Sequence, residues 1–370
     1  MSRAANASAA ALALAIAALL GPACAPARGD AYLAAMAAGE RAYHAGRYRE
    51  AARSFDGAAS RAARVKDRDE ARLLEARSFE RAEAWSEARA SYERLLADSP
   101  DGPRSERAEF ELADLEIEHG DADAGHAKLL AATRRHPSHG LARNALKRLI
   151  RREEERAGAG GALAWLRQHG PALRGTALDQ DVAYHTALLL ERSGDREGAL
   201  RALVAAARAH PYPAGNLTDD ALFRAAELAA ALGRPGEAIG YLREMLAARE
   251  SAVTGSYDRG KFDDAQLEIA RLYRDALGDR AAARRELRKL YTDHPASILR
   301  DDALWAEAKL WREDGRTEEA CATAALITRE LPDSRYARCA RALCPSLPEP
   351  EAKRPCADYI LRELDGGKDP

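Results

Sequence analysis

Apolar residues recur along this chain with the spacing of amphipathic helices, and short turns that contain glycine interrupt them at a regular interval. The stretch from Gly46 to Phe55 shows the pattern. Related ten-residue segments begin at Gly46, Glu83, Gly120, Ala157, Gly194, Gly233, Gly278 and Gly315. They are 37, 37, 37, 37, 39, 45 and 37 residues apart, which indicates an internal repeat of helical units.

Each segment carries a small residue followed, one helical turn later, by a larger apolar one. The small residues are Ala51, Ala88, Gly125, Ala162, Ala199, Ala238, Ala283 and Ala320. In seven of the eight units the large residues are Phe55, Tyr92, Leu129, Leu166, Leu203, Leu242 and Leu287. A small side chain lets two helices approach closely, and a large neighbour fills the groove between them. The pattern therefore predicts a helix-packing seam that repeats eight times.

The ends of the helices recur as well. Proline stands seventeen residues after the turn in five units, at Pro100, Pro137, Pro211, Pro295 and Pro332, and it cannot continue a helix. Acidic pairs begin three of the first helices, where they suit the positive end of the helix dipole: Asp219-Asp220, Asp263-Asp264 and Asp301-Asp302. These signals predict an all-α fold, a superhelical solenoid of about eight helix pairs over residues 32–345.

Further positions carry a family resemblance. A small residue recurs in the first helix as Gly39, Ala76, Ala113, Ala187, Ala226 and Ala308, and an aromatic residue follows the turn at Tyr48 and Trp85. With these positions the chain resembles the tetratricopeptide repeat (TPR) family over residues 32–345. The 37-residue period and the linkers after proline are similar to the repeats of bacterial envelope lipoproteins of the BamD and YbgF type. The resemblance implies a right-handed α-α superhelix that binds other proteins.

The start of the chain is typical of an exported protein. Residues 1–23 combine Arg3, an apolar stretch at 9–20 and small residues, which predicts a signal peptide, since the stretch is too short to span a bilayer. The sequence before Cys24 resembles a lipobox, so we expect lipidation of Cys24, with residues 24–31 as a tether to the outer membrane. Ordinary cleavage after Ala27 is the alternative.

The four remaining cysteines lie within the last fifty residues, at Cys321, Cys339, Cys344 and Cys356. An even, clustered set in an exported chain predicts two disulfides, which would staple the C-terminal segment, residues 346–370, to the repeats. Three connectivities are possible. We prefer Cys321 with Cys339 and Cys344 with Cys356. A zinc site is the alternative, although no Cys-x-x-Cys pair is present.

Charge and motifs argue against catalysis and nucleic-acid binding. The formal charge of −2 provides no field that would attract nucleic acid, and we find no phosphate-binding loop, nucleophile motif or metal-binding helix. Glu250-Ser251 resembles the acid-bearing pair of superhelical lytic transglycosylases, but the glycine-rich segment that should follow is absent. We therefore expect no enzymatic activity, no cofactor, no bound metal and no small-molecule substrate.

The resemblance places bound ligands along the concave face formed by the first helices. Counting back from each turn gives an aromatic line of Phe110, Tyr184, Phe223 and Trp305, with the polar candidates Asp220, Glu227, Asp302, Lys309 and Arg312 nearby. Exposed aromatic residues in this arrangement would anchor a bound peptide. The alternative is that they pack against adjacent helices. The predicted function is an adaptor for envelope proteins, in assembly, secretion or motility; a coordinator linked to peptidoglycan or Tol-Pal is the alternative.

Overall fold

The computed structural model describes residues 28–247, 261–348 and 355–364. Within these ranges the chain forms helices and no strands. It divides into two compact units. Unit 1 contains residues 28–158 and 167–178, and unit 2 contains residues 159–166 and the described residues from 179 onward.

Unit 1 is built from consecutive helices that pack against their neighbours in the chain. They are α1 (Asp30–His44), α2 (Tyr48–Arg61), α3 (Val65–Arg81), α4 (Trp85–Asp98), α5 (Ser105–His119), α6 (Ala122–Arg135) and the first part of α7 (Ala142–His169). The range of α7 contains two helical segments that meet at the non-helical Gly158, and a short 3-10 helix, Gly170–Leu173, follows it.

Unit 2 repeats the same arrangement. Its helices are α8 (Asp179–Arg192), α9 (Arg196–Ala209), α10 (Thr218–Ala231), α11 (Pro235–Ala247), α12 (Phe262–Arg271), α13 (Arg280–Asp293), α14 (Arg300–Glu313), α15 (Thr317–Glu330), α16 (Ala340–Leu343) and α17 (Asp358–Leu364). The all-α architecture of packed helix pairs is thereby confirmed within each unit.

The repeat boundaries agree with the sequence signals. A turn residue with positive φ separates the two helices in seven of the eight pairs, at Gly46, Glu83, Gly158, Gly194, Gly233, Gly278 and Gly315. The third pair differs, because Asp121 caps α6 by accepting hydrogen bonds from the backbone N–H groups of Asp123 and Ala124. Five second helices end two residues before the repeat prolines: α4, α6, α9, α13 and α15.

The predicted seam forms the core. All eight small residues are buried, and so are the seven large residues that follow them. Ala88 and Tyr92, for example, belong to one apolar cluster with residues of α3 and α5. Burial of these side chains between neighbouring helices supplies most of the stability of such pairs.

Glu83 is the one turn residue of this set that has a side chain, and it adopts a left-handed conformation with φ 54°. A Cβ atom disfavours this region by about 1–2 kcal/mol. We expect Glu83→Gly to raise the free energy of unfolding by about 0.5–1 kcal/mol, after allowing for the greater freedom of glycine in the unfolded chain.

Glu93→Gly is the matched control for this prediction. Glu93 is an exposed residue in the middle of α4, where glycine should lower the free energy of unfolding by about 1 kcal/mol. Urea unfolding followed by circular dichroism would compare the two variants. Equal destabilisation by both would contradict strain at Glu83.

Helix α12 continues into a π-helical turn, Leu272–Ala276, that the repeat pattern did not predict. In this turn the backbone N–H of Leu277 donates to the carbonyl oxygen of Leu272, and that of Asp279 donates to Tyr273. Short π-turns inside helices are often found at functional sites.

One disulfide ties the last repeat to the end of α16, and the other ties the start of α16 to the C-terminal segment, but the connectivity we preferred from the sequence is wrong. Cys321 of α15 is bonded to Cys344, and Cys339 to Cys356. Cys339 and Cys344 lie at opposite ends of α16. Five residues along a helix rotate a side chain to a largely different face, so the cysteine nearer in sequence was the wrong partner for Cys321.

Ion pairs connect neighbouring repeats along the surface of each unit. Their partners are 34 to 38 residues apart, which is about one repeat period. They are Arg49–Glu87, Arg104–Glu70, Arg148–Asp114, Arg208–Glu244, Arg234–Glu197 and Arg280–Asp314.

Three sequence predictions concern residues that the structure does not describe. The signal peptide at 1–23, the lipidation of Cys24 and the Glu250-Ser251 pair all lie outside the described ranges. Among the helices in those ranges, none is both long and apolar enough to cross a membrane.

Candidate protein-binding groove

Two of the four aromatic residues expected on the concave surface are in the core. Phe110 and Trp305 are 1% and 2% exposed, so the expectation that they are exposed is wrong. The chain that follows the repeat proline covers each of them: His139 stacks on Phe110 with ring centroids 5.1 Å apart, and Tyr336 stacks on Trp305 at 4.8 Å. These two residues pack as the alternative interpretation expected.

The other two aromatic residues are partly buried in unit 2. Tyr184 and Phe223 both pack against the core formed by α8 to α12. Lys261 lies 5.3 Å above the Phe223 ring, and its ammonium group is 2.6 Å from Asp220.

The remaining acidic candidate on α10 also has a partner. Glu227 is exposed and pairs with Arg224 of the same helix at 2.7 Å. Arg224 also pairs with Glu191 of α8, so Glu227 belongs to an ion-pair cluster on the surface.

Three of the predicted residues meet in one groove of unit 2. Asp302, Trp305 and Lys309 of α14 line a cavity of about 760 Å³, together with residues of α12, the π-turn, α13 and the segment after α15. Arg312 does not line it; its guanidinium donates to the carbonyl oxygen of Ala342 at 3.1 Å. We call this cavity the C-terminal groove, and its other lining residues are Leu267, Ala270, Arg271, Arg274, Asp275, Arg280, Leu287, Leu299, Ala306, Leu310, Glu313 and Tyr336.

The groove has an apolar floor and a charged rim. The π-turn contributes Arg274 and Asp275, which form two hydrogen bonds with each other at 2.6 and 2.8 Å. These bonds hold the pKa of Asp275 below its usual value. Four basic and three acidic side chains line the groove, a slight excess of positive charge. Such a combination suits a polypeptide segment with both apolar and acidic side chains.

Asp302 is held in place at one end of the groove. The hydroxyl of Tyr336 donates to its carboxylate at 2.7 Å, and Arg335 forms an ion pair with the same oxygen. Burial and this hydrogen bond raise the pKa of Tyr336, so the hydroxyl stays protonated. The Tyr336 side chain is therefore held at two points, by the hydrogen bond of its hydroxyl to Asp302 and by the stacking of its ring on Trp305.

Trp305 carries a polar group without a partner. Its indole N–H is buried, and the described residues offer it no acceptor. A buried donor left without a hydrogen bond reduces stability by about 1–3 kcal/mol, so such groups are uncommon in folded proteins. Trp305 lines the groove, but its N–H is covered, so an acceptor on a bound segment would reach it only when the side chains that cover it move.

The sequence did not indicate the contribution of α12 and the π-turn. The interval between turns lengthens to 45 residues in one repeat, and that repeat contains Arg271, Arg274 and Asp275. That irregular interval was the available signal. In the described ranges, no group of His, Cys, Asp or Glu side chains has the arrangement of a metal site.

An all-helical array with a period near 37 residues and a groove between neighbouring first helices is a helical-repeat protein. The family model for the tetratricopeptide repeat matches residues 70–102 in unit 1 and 264–297 in unit 2. The chain thus contains tetratricopeptide repeats, and this part of the predicted resemblance is confirmed. The BamD and YbgF type stays a prediction.

The comparison with solved structures finds matches at low sequence identity. The C-terminal part of a TPR repeat-containing protein from Cytophaga hutchinsonii is 13% identical, with 72% of this chain and 98% of that chain covered and a TM-score of 0.43. PilF from Pseudomonas aeruginosa is 17% identical, with 64% and 96% covered and a TM-score of 0.36. No curated protein matches the sequence.

Proposed function

We propose that the chain is a non-catalytic adaptor of the bacterial cell envelope, which binds a segment of a partner polypeptide in the C-terminal groove. The observation that carries this proposal is the groove of about 760 Å³ itself, in which Trp305 and other apolar residues lie beside charged side chains. A cavity of that size accommodates several residues of an extended chain or one face of a helix.

The disulfides support the proposed location in the cell envelope. Two bonds in the C-terminal part require an oxidising environment, which in bacteria means an exported protein. Together with the signal-peptide pattern, they support a periplasmic location. Lipidation of Cys24 would hold the protein at the outer membrane, and mass spectrometry of the purified native protein would detect the acyl chains.

Photocrosslinking in intact cells tests the groove directly. We expect a crosslinkable benzoylphenylalanine at Lys309 to capture a specific envelope protein. The same amino acid at Arg285, an exposed position on α13 that does not line the groove, should capture none. Capture of one protein from both positions would move the binding surface away from the groove.

The contribution of Trp305 is then measured with the purified partner. Trp305→Phe removes the N–H together with part of the indole ring, and we expect it to weaken binding about 3- to 10-fold. The free protein should lose some stability, because Trp305 is buried and the smaller ring leaves a cavity in the core, while the loss of an unsatisfied donor offsets part of this cost.

Trp311→Phe is the matched control. Its indole N–H donates to Glu307 at 3.3 Å and does not line the groove, so this variant should lower stability and leave binding unchanged. If Trp305→Phe binds the partner as tightly as the wild type, the N–H does not contact the ligand.

A further inference from the structure

A second groove lies in unit 1, and none of the predicted site residues belongs to it. It has a volume of about 520 Å³ and is bounded by α3, α5, the end of α1 and the start of α4. We call it the Glu80 groove. Its lining residues are Tyr43, Arg77, Glu80, Arg81, Trp85, Arg107, Glu111, Asp114, Leu115, Glu118 and His119.

Glu111 has more cationic partners than any other carboxylate in this groove. Arg77 donates to both of its oxygens, and Arg107 donates to one of them at 2.7 Å. Although burial acts to raise its pKa, these bonds hold the pKa of Glu111 below the usual value, and it stays ionised.

Glu80 has no such partner. In the described structure its carboxylate forms one hydrogen bond, with the hydroxyl of Tyr92, at 3.0 Å. The same hydroxyl lies 3.0 Å from Glu111. A phenol has a single proton, so Tyr92 donates to one of the two carboxylates at a time.

The protonation state of Glu80 follows from this arrangement. Burial raises the pKa of Tyr92, which therefore keeps its proton. Burial also raises the pKa of Glu80 to about 7, against the lowering effect of its bond with Tyr92. In its protonated form Glu80 donates to Tyr92, and Tyr92 donates to Glu111. When Glu80 is ionised, one carboxylate loses its bond to the phenol.

The other charged groups around Glu80 form their ion pairs elsewhere, although the nearby charge of Arg77 lowers the pKa of Glu80 in part. Asp114 and Glu118 of α5 share Arg148 of α7, at 2.8 and 3.4 Å. Arg81 of α3 lies over the Tyr48 ring of α2, 5.6 Å from its centroid. Arg77 and Arg107 are both bound to Glu111, as described above.

Aromatic rings line the same groove. Trp85 at the start of α4 stacks on His119 at the end of α5, with ring centroids 3.6 Å apart, and Tyr43 of α1 lies at the other side. Their faces attract cations. A carboxylate without an ion-pair partner, beside the faces of aromatic rings, is an environment that favours the binding of a lysine or arginine side chain.

We propose that the Glu80 groove binds a lysine or arginine side chain of a partner polypeptide, with the cation against the Glu80 carboxylate, and that binding releases the proton of Glu80. This site is independent of the C-terminal groove, which lies in the other unit and carries a net positive lining. The proton passes to solvent, and the cation takes the place of the hydrogen bond that Glu80 loses.

A labelled peptide tests this proposal. We would titrate the mature protein with fluorescein-labelled (Gly-Lys)4 amide and follow anisotropy at pH 6 and pH 8. Lysine stays charged over this range, whereas the ionised fraction of a carboxyl with a pKa of about 7 rises about tenfold. The affinity of the wild type should therefore be about tenfold higher at pH 8. Calorimetry in buffers with different ionisation enthalpies should show the release of about 0.9 proton per peptide at pH 6.

Two variants separate Glu80 from general electrostatics. Glu80→Gln should bind no more tightly at pH 8 than the wild type does at pH 6, whereas Glu93→Gln, with the same charge change on the exposed side of α4, should keep the tenfold pH effect. Full pH dependence in Glu80→Gln would assign the effect to another group of the groove, such as Asp114, whose pKa burial also raises, and would overturn the proposal. Absence of proton release in the wild type would overturn it without any variant.

Discussion

Replacing Gly125 by alanine is expected to destabilise the protein by about 1–3 kcal/mol. Gly125 lies in the seam of the third repeat, and a Cβ atom there would be 2.6 Å from the backbone nitrogen of Ile117 and 2.7 Å from its Cγ1 atom. The carbonyl oxygen of Ala113 would be 3.0 Å away. Backbone atoms of α5 cannot rotate aside, so the two helices must separate.

Gly240→Ala is the control for this expectation. Gly240 lies inside α11, and a Cβ atom there would meet nothing within 4 Å. The substitution should raise the free energy of unfolding by about 0.5–1 kcal/mol, because alanine is the better helix former. The midpoints of urea unfolding, followed by circular dichroism, would compare the two. If both alanine variants were stabilised, the close approach of α5 and α6 would not be required.

Removing the bond between Cys321 and Cys344 is expected to lower the free energy of unfolding by about 3 kcal/mol. The two cysteines are 23 residues apart, and closing a loop of that length restricts the unfolded chain by roughly this amount. The double variant Cys321→Ser/Cys344→Ser leaves the other bond intact, so thiol titration of the folded protein should find no free cysteine in the described set.

Cys321→Ser/Cys339→Ser is the matched variant for the connectivity. It breaks both bonds, so Cys344 and Cys356 should each react as a free thiol, with a larger loss of stability. If instead Cys321→Ser/Cys344→Ser showed two free thiols and Cys321→Ser/Cys339→Ser showed none, Cys321 would be bonded to Cys339, as preferred from the sequence. Calorimetric melting under oxidising conditions measures the stability of each variant.

The repeat pattern predicted the helices well, because the same physical signal recurs eight times. Turn residues need a left-handed backbone, the seam needs small residues, and proline ends a helix. Each requirement limits the residue types at one position of the repeat. Because that position recurs with the repeat period, the restricted residue types can be recognised in the sequence. Gly158 shows the strength of the signal: the fourth pair lacks its proline, yet the turn lies one residue from the expected place.

The face of each first helix was harder to predict. A shift of one residue rotates a side chain by about 100°, so a count along the repeat does not separate the surface from the interface. Trp305 shows the consequence, since Tyr336, which follows the last repeat proline, covers its ring. The sequence also gave no indication that the chain after a proline folds back over the first helix.

The Glu80 groove was not predicted because its chemistry is shared between repeats. Tyr92 was correctly assigned to the seam from its position, but that assignment uses only the ring. Its hydroxyl joins Glu80 of α3 to Glu111 of α5, carboxylates that are 31 residues apart in the sequence. A repeat pattern records equivalent positions, and these two positions are not equivalent.

The ion pairs between neighbouring repeats affect how each unit comes apart. An array of this kind behaves as a one-dimensional chain, in which the free energy is a sum of terms for single repeats and terms for the contacts between adjacent ones. A pair such as Arg49 and Glu87 joins two repeats, so it contributes to the second kind of term. Each exposed pair contributes about 0–1 kcal/mol, and salt screens it. Higher ionic strength is therefore expected to weaken the contact terms between neighbouring repeats and to lower the cooperativity with which each unit unfolds.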